Sequence, residues 1–267
     1  MGGDGDDVIV GGAGNDTMTG GLGNNTLVGG AGKNTFANAG GTDRDFHNDG
    51  DRFGNLKGAK GTKAPTKIEA GDVSAANAPG HTIEIQGSDE FKAKVQAELE
   101  VIRSTPSGRA MLADIDKQNA AGKPIRIKEG SEDVHADGLN TATPDVETDA
   151  LPKGMKSKKG EGTGKGTGSI VAFSPDVHRT DDRMDQSTQP TDAADARTID
   201  PSIALFHELV HAHRNQLAES EGLTKGEEFA AAGTRGHDSA DKKAEWKYNE
   251  NQYRKELGSP ERYSYDA

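Results

Sequence analysis

The 267-residue sequence predicts an α+β domain over residues 81–267, preceded by a short parallel β-roll with its cap over residues 1–53. A run of nine-residue repeats at the N-terminus predicts the roll. Segments that alternate apolar and polar residues, together with stretches of helical spacing, predict the mixed domain. Residues 54–80 are rich in Gly, Lys and Ala, which is typical of a linker.

Four repeats in register occupy residues 2–37: GGDGDDVIV, GGAGNDTMT, GGLGNNTLV and GGAGKNTFA. They resemble the calcium-binding nonapeptide repeat of RTX proteins, in which glycines form tight turns. The resemblance assigns the calcium-binding oxygens to the sixth residues, Asp7, Asp16, Asn25 and Asn34. It points the eighth residues into the roll, namely Ile9, Met18, Leu27 and Phe36. Asparagine lacks the carboxylate charge, so these two positions predict weaker calcium binding.

Further acidic residues follow the repeats, at Asp43, Asp45, Asp49 and Asp51. They are either additional calcium ligands or a solvated turn, and the turn is the favoured interpretation. Such arrays usually run longer, and this one starts directly after Met1. We therefore expect the chain to be the C-terminal portion of a longer protein, or a piece cut from one.

The α+β domain is predicted to begin with a strand, two helices and a second strand. Residues 81–86 (HTIEIQ) and 124–128 (PIRIK) alternate as strands do. Residues 89–118 carry apolar side chains at helical spacing, interrupted at 104–106 by Ser-Thr-Pro. Proline breaks a helix interior, so two helices are expected.

The next segment carries few structural signals. Residues 129–167 lack apolar periodicity and end in a Gly- and Lys-rich stretch, which predicts a largely mobile loop. Residues 169–173 (SIVAF) then predict a short strand. Its position just before the next helix suggests that an extended substrate pairs with it.

The strongest chemical signal is the segment 200–219, DPSIALFHELVHAHRNQLAE. Asp200 and the proline after it are typical of a helix start. His207 and His211 are four residues apart and project from one face, so both imidazoles can bind one tetrahedral zinc ion. Glu208 is adjacent and can accept a proton from the attacking water as the general base. The alternative is a buried structural helix whose two histidines bind no metal.

A catalytic zinc ion needs a third protein ligand and an open position. Glu227 and Glu228, on the next predicted helix, are the best candidates. Adjacent helical side chains diverge by about 100°, so only one of the two can bind. An acidic pair at a helix N-terminus also has a purely structural explanation. The weaker substitutes are His237 and Asp241, whereas His213 is expected at the surface or behind the ligands.

Residues 81–267 resemble the effector-type zinc metallopeptidases of the NleD and HopH type. The similarity covers Ser-Gly-Arg at 107–109, GSIVAFSP at 168–175, HELVHA at 207–212, the Glu-Glu helix and ENQYRKELGSPERYSY at 250–265. The resemblance implies a zincin-like fold and proteolysis of a protein substrate. In the best-known members the substrates are host signalling kinases.

The resemblance also suggests roles for residues near the C-terminus. Zincins often stabilise the oxyanion with a tyrosine or histidine, which suggests Tyr265, with Tyr263 as the alternative. Packing of the C-terminus is an equally good explanation for a tyrosine there. Arg262 either orients the substrate or forms a structural ion pair.

Composition restricts the partners of the protein. A net charge of −12 disfavours nucleic acid and anionic membranes, and no apolar run reaches the length of a membrane span. The absence of cysteine fits both a cytosolic protein and one exported unfolded, and the N-terminus lacks the features of a cleavable signal peptide. The resemblances imply a bacterial protein that is secreted or translocated.

These observations together predict a secreted zinc endopeptidase of the effector or toxin type, with structural calcium in the repeats. One alternative is a calcium-dependent binding or scaffold module with an inactive peptidase-like domain. Intact Glu208 argues against this alternative. Another is a toxin domain that acts on competing bacteria.

Overall fold

The computed structural model describes most of the repeat region, residues 78–130 and 140–175, and three C-terminal segments. The described ranges are 2–5, 7–12, 14–23, 25–30, 32–38, 43–47, 51–55, 66–67, 78–130, 140–175, 201–222, 225–233 and 247–257. The chain divides into two compact units. One comprises Met1–His81 with Ala93–Ala110, and the other comprises Thr82–Lys92 with Met111–Ala267.

The repeats form short strands that stack in parallel, as the sequence predicts. The strands are β1 (Val8–Val10), β2 (Thr17–Thr19), β3 (Thr26–Val28), β4 (Thr35–Asn38), β5 (Arg44–His47), β6 (Arg52–Asn55) and β7 (Thr66–Lys67). They form two sheets with the orders β1-β3-β5-β7 and β2-β4-β6, so each strand pairs with the strand two positions further along the chain. The N-terminal parallel sheets of the predicted fold class are thereby confirmed.

The eighth residues of the repeats form the interior of the roll. Met18, Leu27 and Phe36 are buried together, with Ile9 packed against them. Glycine is required where neighbouring coils meet: a Cβ on Gly21, whose φ is 103°, would lie 2.1 Å from the carbonyl oxygen of Gly3. Any other side chain would force the coils apart.

The acidic residues after the repeats do not form a solvated turn, and this interpretation was wrong for the described residues. Asp43 and Asp45 are buried, and Asp51 Oδ1 accepts a hydrogen bond from the Asn34 N–H at 2.6 Å. The backbone continues the stack here, because Arg52 N–H donates to Asn34 O at 2.8 Å. Asp49 lies outside the described residues.

The second part of the chain contains helices and strands, so its α+β class is confirmed. The helices are α1 (Asp89–Ser104), α2 (Pro106–Ala120), α3 (Glu147–Ala150), α4 (Pro201–Leu217), α5 (Lys225–Ala232) and α6 (Glu250–Glu256). The strands are β8 (Glu84–Gln86), β9 (Ile125–Glu129), β10 (Thr141–Pro144), β11 (Lys156–Ser157), β12 (Gly160–Glu161) and β13 (Ser169–Phe173). The predicted break between the first two helices is confirmed, with α2 starting at Pro106.

A four-stranded sheet with the order β10-β13-β9-β8 supports α4, which packs against β10 and β13. The strands β8, β9 and β13 run parallel, and β10 is antiparallel to β13. SIVAF forms the predicted strand but lies inside the sheet, with β10 and β9 bonded along its two edges. Its suggested pairing with a substrate was therefore wrong, since both edges of the strand are occupied.

The expectation of a largely mobile loop over 129–167 was also wrong for residues 140–167, which contain β10, α3, β11 and β12. Hydrogen bonds hold much of this segment: Gly166 N–H donates to Asp149 O at 2.8 Å, and Thr163 Oγ1 donates to Asp149 Oδ1 at 2.6 Å. Its glycines occupy ordered turns with positive φ, for example 84° at Gly154. Residues 131–139 are not described.

The C-terminal end of α4 is fixed by a buried glutamine. Gln216 Nε2 donates to Asn119 Oδ1 at 2.8 Å and to Lys123 O at 2.7 Å. The suggested cap at the other end, Asp200, is outside the described residues. Within the described part of the chain, no helix is both long and apolar enough to cross a membrane.

Candidate metal centre

The helix α4 presents the predicted histidine pair on one face. Apolar neighbours such as Leu205 and Leu209 bury the helix on the sheet, so its orientation is fixed by packing. One turn separates His207 from His211, and their ring centroids lie 4.7 Å apart. The two Nε2 atoms are 3.0 Å apart and therefore converge on one point.

Glu228 on α5 completes a cluster with the histidines. Its Oε2 atom lies 3.2 Å from His207 Nε2 and 3.5 Å from His211 Nε2. A tetrahedral zinc ion with bonds of about 2.0–2.1 Å separates its ligand atoms by about 3.3 Å. The three distances bracket this value, so the cluster has the dimensions of three corners of a zinc tetrahedron.

A second carboxylate holds His207 from behind. Glu250 on α6 lies with Oε2 2.8 Å from His207 Nδ1, and its other oxygen accepts a hydrogen bond from Arg254 Nε at 2.6 Å. A carboxylate can only accept, so His207 Nδ1 carries a proton. In the neutral ring Nε2 then has a lone pair directed at the cluster, which is the tautomer that binds a metal.

With His207 in this tautomer, the cluster is stabilised by a positive charge placed between its ligand atoms. The His207 Nε2 lone pair faces the Glu228 carboxylate at 3.2 Å, and His211 Nε2 has at most one proton to share between them. Lone pairs at such distances repel unless a cation or an additional proton lies between them. Two imidazoles and one carboxylate form the donor set of known catalytic zinc sites, so the residues present fit zinc.

The pKa shifts of His207 and Glu228 also favour positive charge on the histidines and negative charge on the carboxylate. Burial lowers the pKa of His207, but hydrogen bonds with Glu228 and Glu250 outweigh it and raise that pKa above its usual value. Burial raises the pKa of Glu228, but the polar contacts with His207 and His211 and the positive charge on these rings outweigh it and hold that pKa well below its usual range.

Glu208 differs from the other carboxylates of the site. Burial raises the pKa of Glu208 to about 7, although the charges of His207 and His211 act in the opposite direction. It lies next to His207 on the helix but outside the cluster of three. A buried carboxylate with weak solvation is a stronger base than one in water.

Packing fixes α6 behind the histidines. The ring of Tyr253 stacks on Phe206 with centroids 4.3 Å apart, and its hydroxyl donates to Ser202 Oγ at 3.0 Å. Asn249 caps the helix by accepting a hydrogen bond from Gln252 N–H at 2.9 Å. Both contacts hold Glu250 against His207.

The structure brings together some of the predicted residues. It places Glu228 beside the histidines, whereas the side chain of its neighbour Glu227 is not described. His213 is buried beside Gln216 and Tyr248, so a surface position was wrong; its ring packs against that tyrosine. The remaining candidates, Tyr263, Tyr265, Arg262, His237 and Asp241, lie outside the described residues.

Sequence reasoning missed the contact between Glu250 and His207. The sequence signal available was a Glu and an Arg four residues apart, at 250 and 254, which form an ion pair on one helix. Nothing in that spacing identifies a histidine 43 residues earlier as the partner.

The Peptidase_M91 family, described as effector proteins, matches residues 79–265, which is more than half of the chain. The chain belongs to this family. The RTX calcium-binding nonapeptide repeat matches residues 1–36 in four copies. No curated protein and no solved structure matches the chain.

The two matches confirm both resemblances and their order along the chain. Peptidase_M91 membership indicates peptidase activity and hence a protein substrate. The repeats support calcium binding, and both features are typical of secreted bacterial proteins.

Proposed function

We propose that the protein is a zinc-dependent endopeptidase of the secreted bacterial effector or toxin type, with a zincin-like fold. The observation that carries the proposal is the convergence of His207, His211 and Glu228, with ligand atoms 3.0–3.5 Å apart. In the described part of the chain these three side chains form the cluster. Three protein ligands leave the fourth position of a catalytic zinc for water or substrate.

Zinc held by His207, His211 and Glu228 would act as a Lewis acid toward the scissile carbonyl and would make a nearby water more acidic. Glu208 takes the proton from the attacking water and delivers it to the departing amine. Its burial favours this exchange, because a poorly solvated carboxylate accepts a proton readily.

Glu250 and Arg254 act as positioning residues in this proposal. Glu250 holds the His207 ring in the tautomer whose Nε2 lone pair faces the cluster. Arg254 holds Glu250 through its Nε donor at 2.6 Å. One oxygen of Glu250 thus holds the imidazole and the other is held by Arg254, so Glu250 positions His207 without binding the metal itself.

Other parts of the proposal rest on family resemblance alone. We assign Tyr265 to oxyanion stabilisation and Arg262 to substrate binding, and a host signalling protein is the proposed substrate. We also propose the division into residues 1–53, 54–80 and 81–267, which limited proteolysis within 54–80 tests. Cleavage elsewhere, with 54–80 intact, would contradict that division.

The experiment compares Glu208→Gln with the native protein. The substitution removes the base but no proposed ligand, so zinc stays bound at about one ion per chain. Cleavage of a peptide library, read by mass spectrometry, is expected to fall by about 10²–10⁴-fold. Cleavage by Glu208→Gln at the native rate would show that Glu208 is not the general base.

A matched pair of variants tests the third ligand. Glu228→Gln is expected to weaken zinc binding strongly, whereas Glu227→Gln on the same helix keeps it. The reverse result transfers the role to Glu227. Zinc binding without any cleavage by the native chain would instead favour the inactive scaffold module.

Tyr265→Phe is expected to slow cleavage with zinc retained, and unchanged cleavage removes that residue from the mechanism.

A further inference from the structure

The sixth residues of alternate repeats stack in two columns along the roll, each continued by one aspartate beyond the repeats, so that one asparagine lies between two aspartates in each column. The first column contains Asp7, Asn25 and Asp43, and the second contains Asp16, Asn34 and Asp51. Asp43 continues the nine-residue spacing beyond the four matched repeats. No two aspartates are therefore neighbours within a column.

In each column, one side-chain oxygen of the Asp or Asn residue accepts a hydrogen bond from a backbone N–H of the neighbouring coil. Asn25 Oδ1 accepts the Asp7 N–H at 2.9 Å, and Asp43 Oδ1 accepts the Asn25 N–H at 3.0 Å. In the second column, Asn34 Oδ1 accepts the Asp16 N–H at 3.0 Å. These bonds join successive coils and require no cation.

Asparagine and aspartate differ in the second polar atom of the side chain, which is an amide nitrogen that donates in Asn and an oxygen that accepts in Asp. Asn25 Nδ2 donates to Asp43 Oδ1 at 2.9 Å, in buried surroundings. An aspartate at position 25 would place two negatively charged oxygens at this distance. Buried like charges require either protonation or a shared cation, and calcium is the cation that the repeats bind.

The aspartates keep a capacity for calcium. One oxygen each of Asp16 and Asp43 is buried without a hydrogen-bond partner, although the other Asp43 oxygen accepts two bonds. A hard cation satisfies such an oxygen. Calcium can thus add to a stack that the amides already hold.

We propose that Asn25 and Asn34 keep the roll folded without calcium, so that calcium adds stability at the aspartates but is not required for folding. The Asn25 amide replaces the cation that would join two carboxylates in adjacent positions of a column. The Asn34 amide instead donates to Gly30 O at 3.4 Å, where an aspartate would place a carboxylate oxygen against a carbonyl oxygen. This goes beyond calcium binding by the repeats, because it separates folding of the roll from calcium.

The test is hydrogen exchange of the full chain, read by mass spectrometry on peptides from residues 2–38, with either a calcium chelator or millimolar calcium. The native roll is expected to stay protected in the chelator. Asn25→Asp and, in the other column, Asn34→Asp are expected to lose protection there and regain it with calcium. Calcium binding by calorimetry should tighten by at least about tenfold, because each variant adds a carboxylate.

Asn15→Asp provides a matched control with the same change of charge in the same roll. Asn15 is exposed, and its oxygen accepts the Lys33 N–H at 2.8 Å, which an aspartate oxygen also accepts. This variant should behave like the native roll. Complete exchange of the native roll in the chelator overturns the proposal. So does full protection of both column variants in the chelator, or a failure of calcium to restore them.

Discussion

The roll and the metal centre solve the same problem, the satisfaction of buried polar groups, in different ways. In the roll, the side-chain to backbone bonds of the columns join residues 17 or 18 positions apart, and one pattern recurs from coil to coil. In the metal centre, His207 meets Glu228 and Glu250, which are 21 and 43 residues away and come from different helices. The roll repeats a local rule, whereas the centre depends on contacts that occur once.

The two regions are therefore sensitive to substitution in different ways. A change in one coil alters one of several equivalent steps, and its neighbours retain theirs. A change at Glu250 alters the carboxylate that supports His207 Nδ1, and it therefore affects the orientation of a proposed ligand.

The largest effect is expected from Phe206→Ala. Phe206 is fully buried and stacks on Tyr253, so truncation leaves a cavity between α4 and α6. The free energy of unfolding of this unit should fall by about 3–5 kcal/mol, measured by urea denaturation. Zinc affinity, measured by competition with a chelator, should fall with it, because α6 carries Glu250.

Leu27→Ala is the counterpart in the roll. Leu27 is equally buried, and it packs with Met18 and Phe36. Truncation should destabilise the roll by about 2–5 kcal/mol while zinc affinity stays unchanged. An equal loss of zinc affinity in both variants would contradict the contrast between the two regions.

The sequence predicts most of the roll because its rule is local, and it fails where the rule weakens. The repeat gives the strand positions and the buried eighth residues directly. Beyond residue 38 the glycine pattern lapses, but hydrogen bonds continue the stack, as from Gly29 N–H to Phe46 O at 3.0 Å and from Asn25 N–H to Asp43 Oδ1 at 3.0 Å. Such bonds leave little trace in composition, so Asp43 was mistaken for part of a turn.

The same reasoning explains what could be predicted of the metal centre. The periodicity of a helix places His207 and His211 on one face, so four-residue spacing is sufficient for that pair. The choice between adjacent glutamates depends on the rotation of α5, which only tertiary packing determines. Likewise, much of the ordered segment 140–167 is held by turns and polar bonds, which an apolar pattern does not reveal.

A smaller effect is expected from Glu250→Gln. The amide can still accept the His207 Nδ1 proton but lacks the charge that orients and strengthens the imidazole as a ligand. Zinc affinity should fall by about 10–100-fold, measured by chelator competition. The free energy of unfolding of the metal-free chain should change less than in Phe206→Ala.

Glu256→Gln is the matched control on the same helix. Glu256 accepts a hydrogen bond from Gln252 Nε2 at 2.7 Å and is partly exposed. Its replacement should leave zinc affinity at the native value. Equal zinc affinities for the native chain and Glu250→Gln would show that Glu250 has no positioning role.

The smallest effect is expected at Asp114, which joins α2 to residues more than 130 positions later. Its carboxylate accepts hydrogen bonds from Lys117 Nζ at 2.7 Å, from Lys247 Nζ at 2.9 Å and from the Tyr248 hydroxyl at 2.5 Å. Burial raises the pKa of Asp114, but these bonds outweigh it and hold that pKa well below its usual range. The lysines are largely exposed, so the ion pairs contribute about 1 kcal/mol or less.

A depressed carboxylate pKa gives this contribution a defined pH dependence. The stabilisation is fully present above the unfolded-state pKa of 3.8 and is lost progressively as the pH falls below it. Asp114→Asn should therefore lower the free energy of unfolding of the metal-free chain equally at about pH 7 and pH 5.5. The difference from the native chain should shrink at about pH 3.5. Asp89→Asn, at an exposed carboxylate 3.5 Å from Lys92, is the control and should show no difference. A gap between Asp114→Asn and the native chain that widens as the pH falls would mean that the carboxylate is not stabilised in its charged form. The ion pairs of Asp114 with Lys117 and Lys247 would then not be the source of its contribution. The hydrogen bond from the Tyr248 hydroxyl, which a protonated or amide side chain can also accept, would have to account for it.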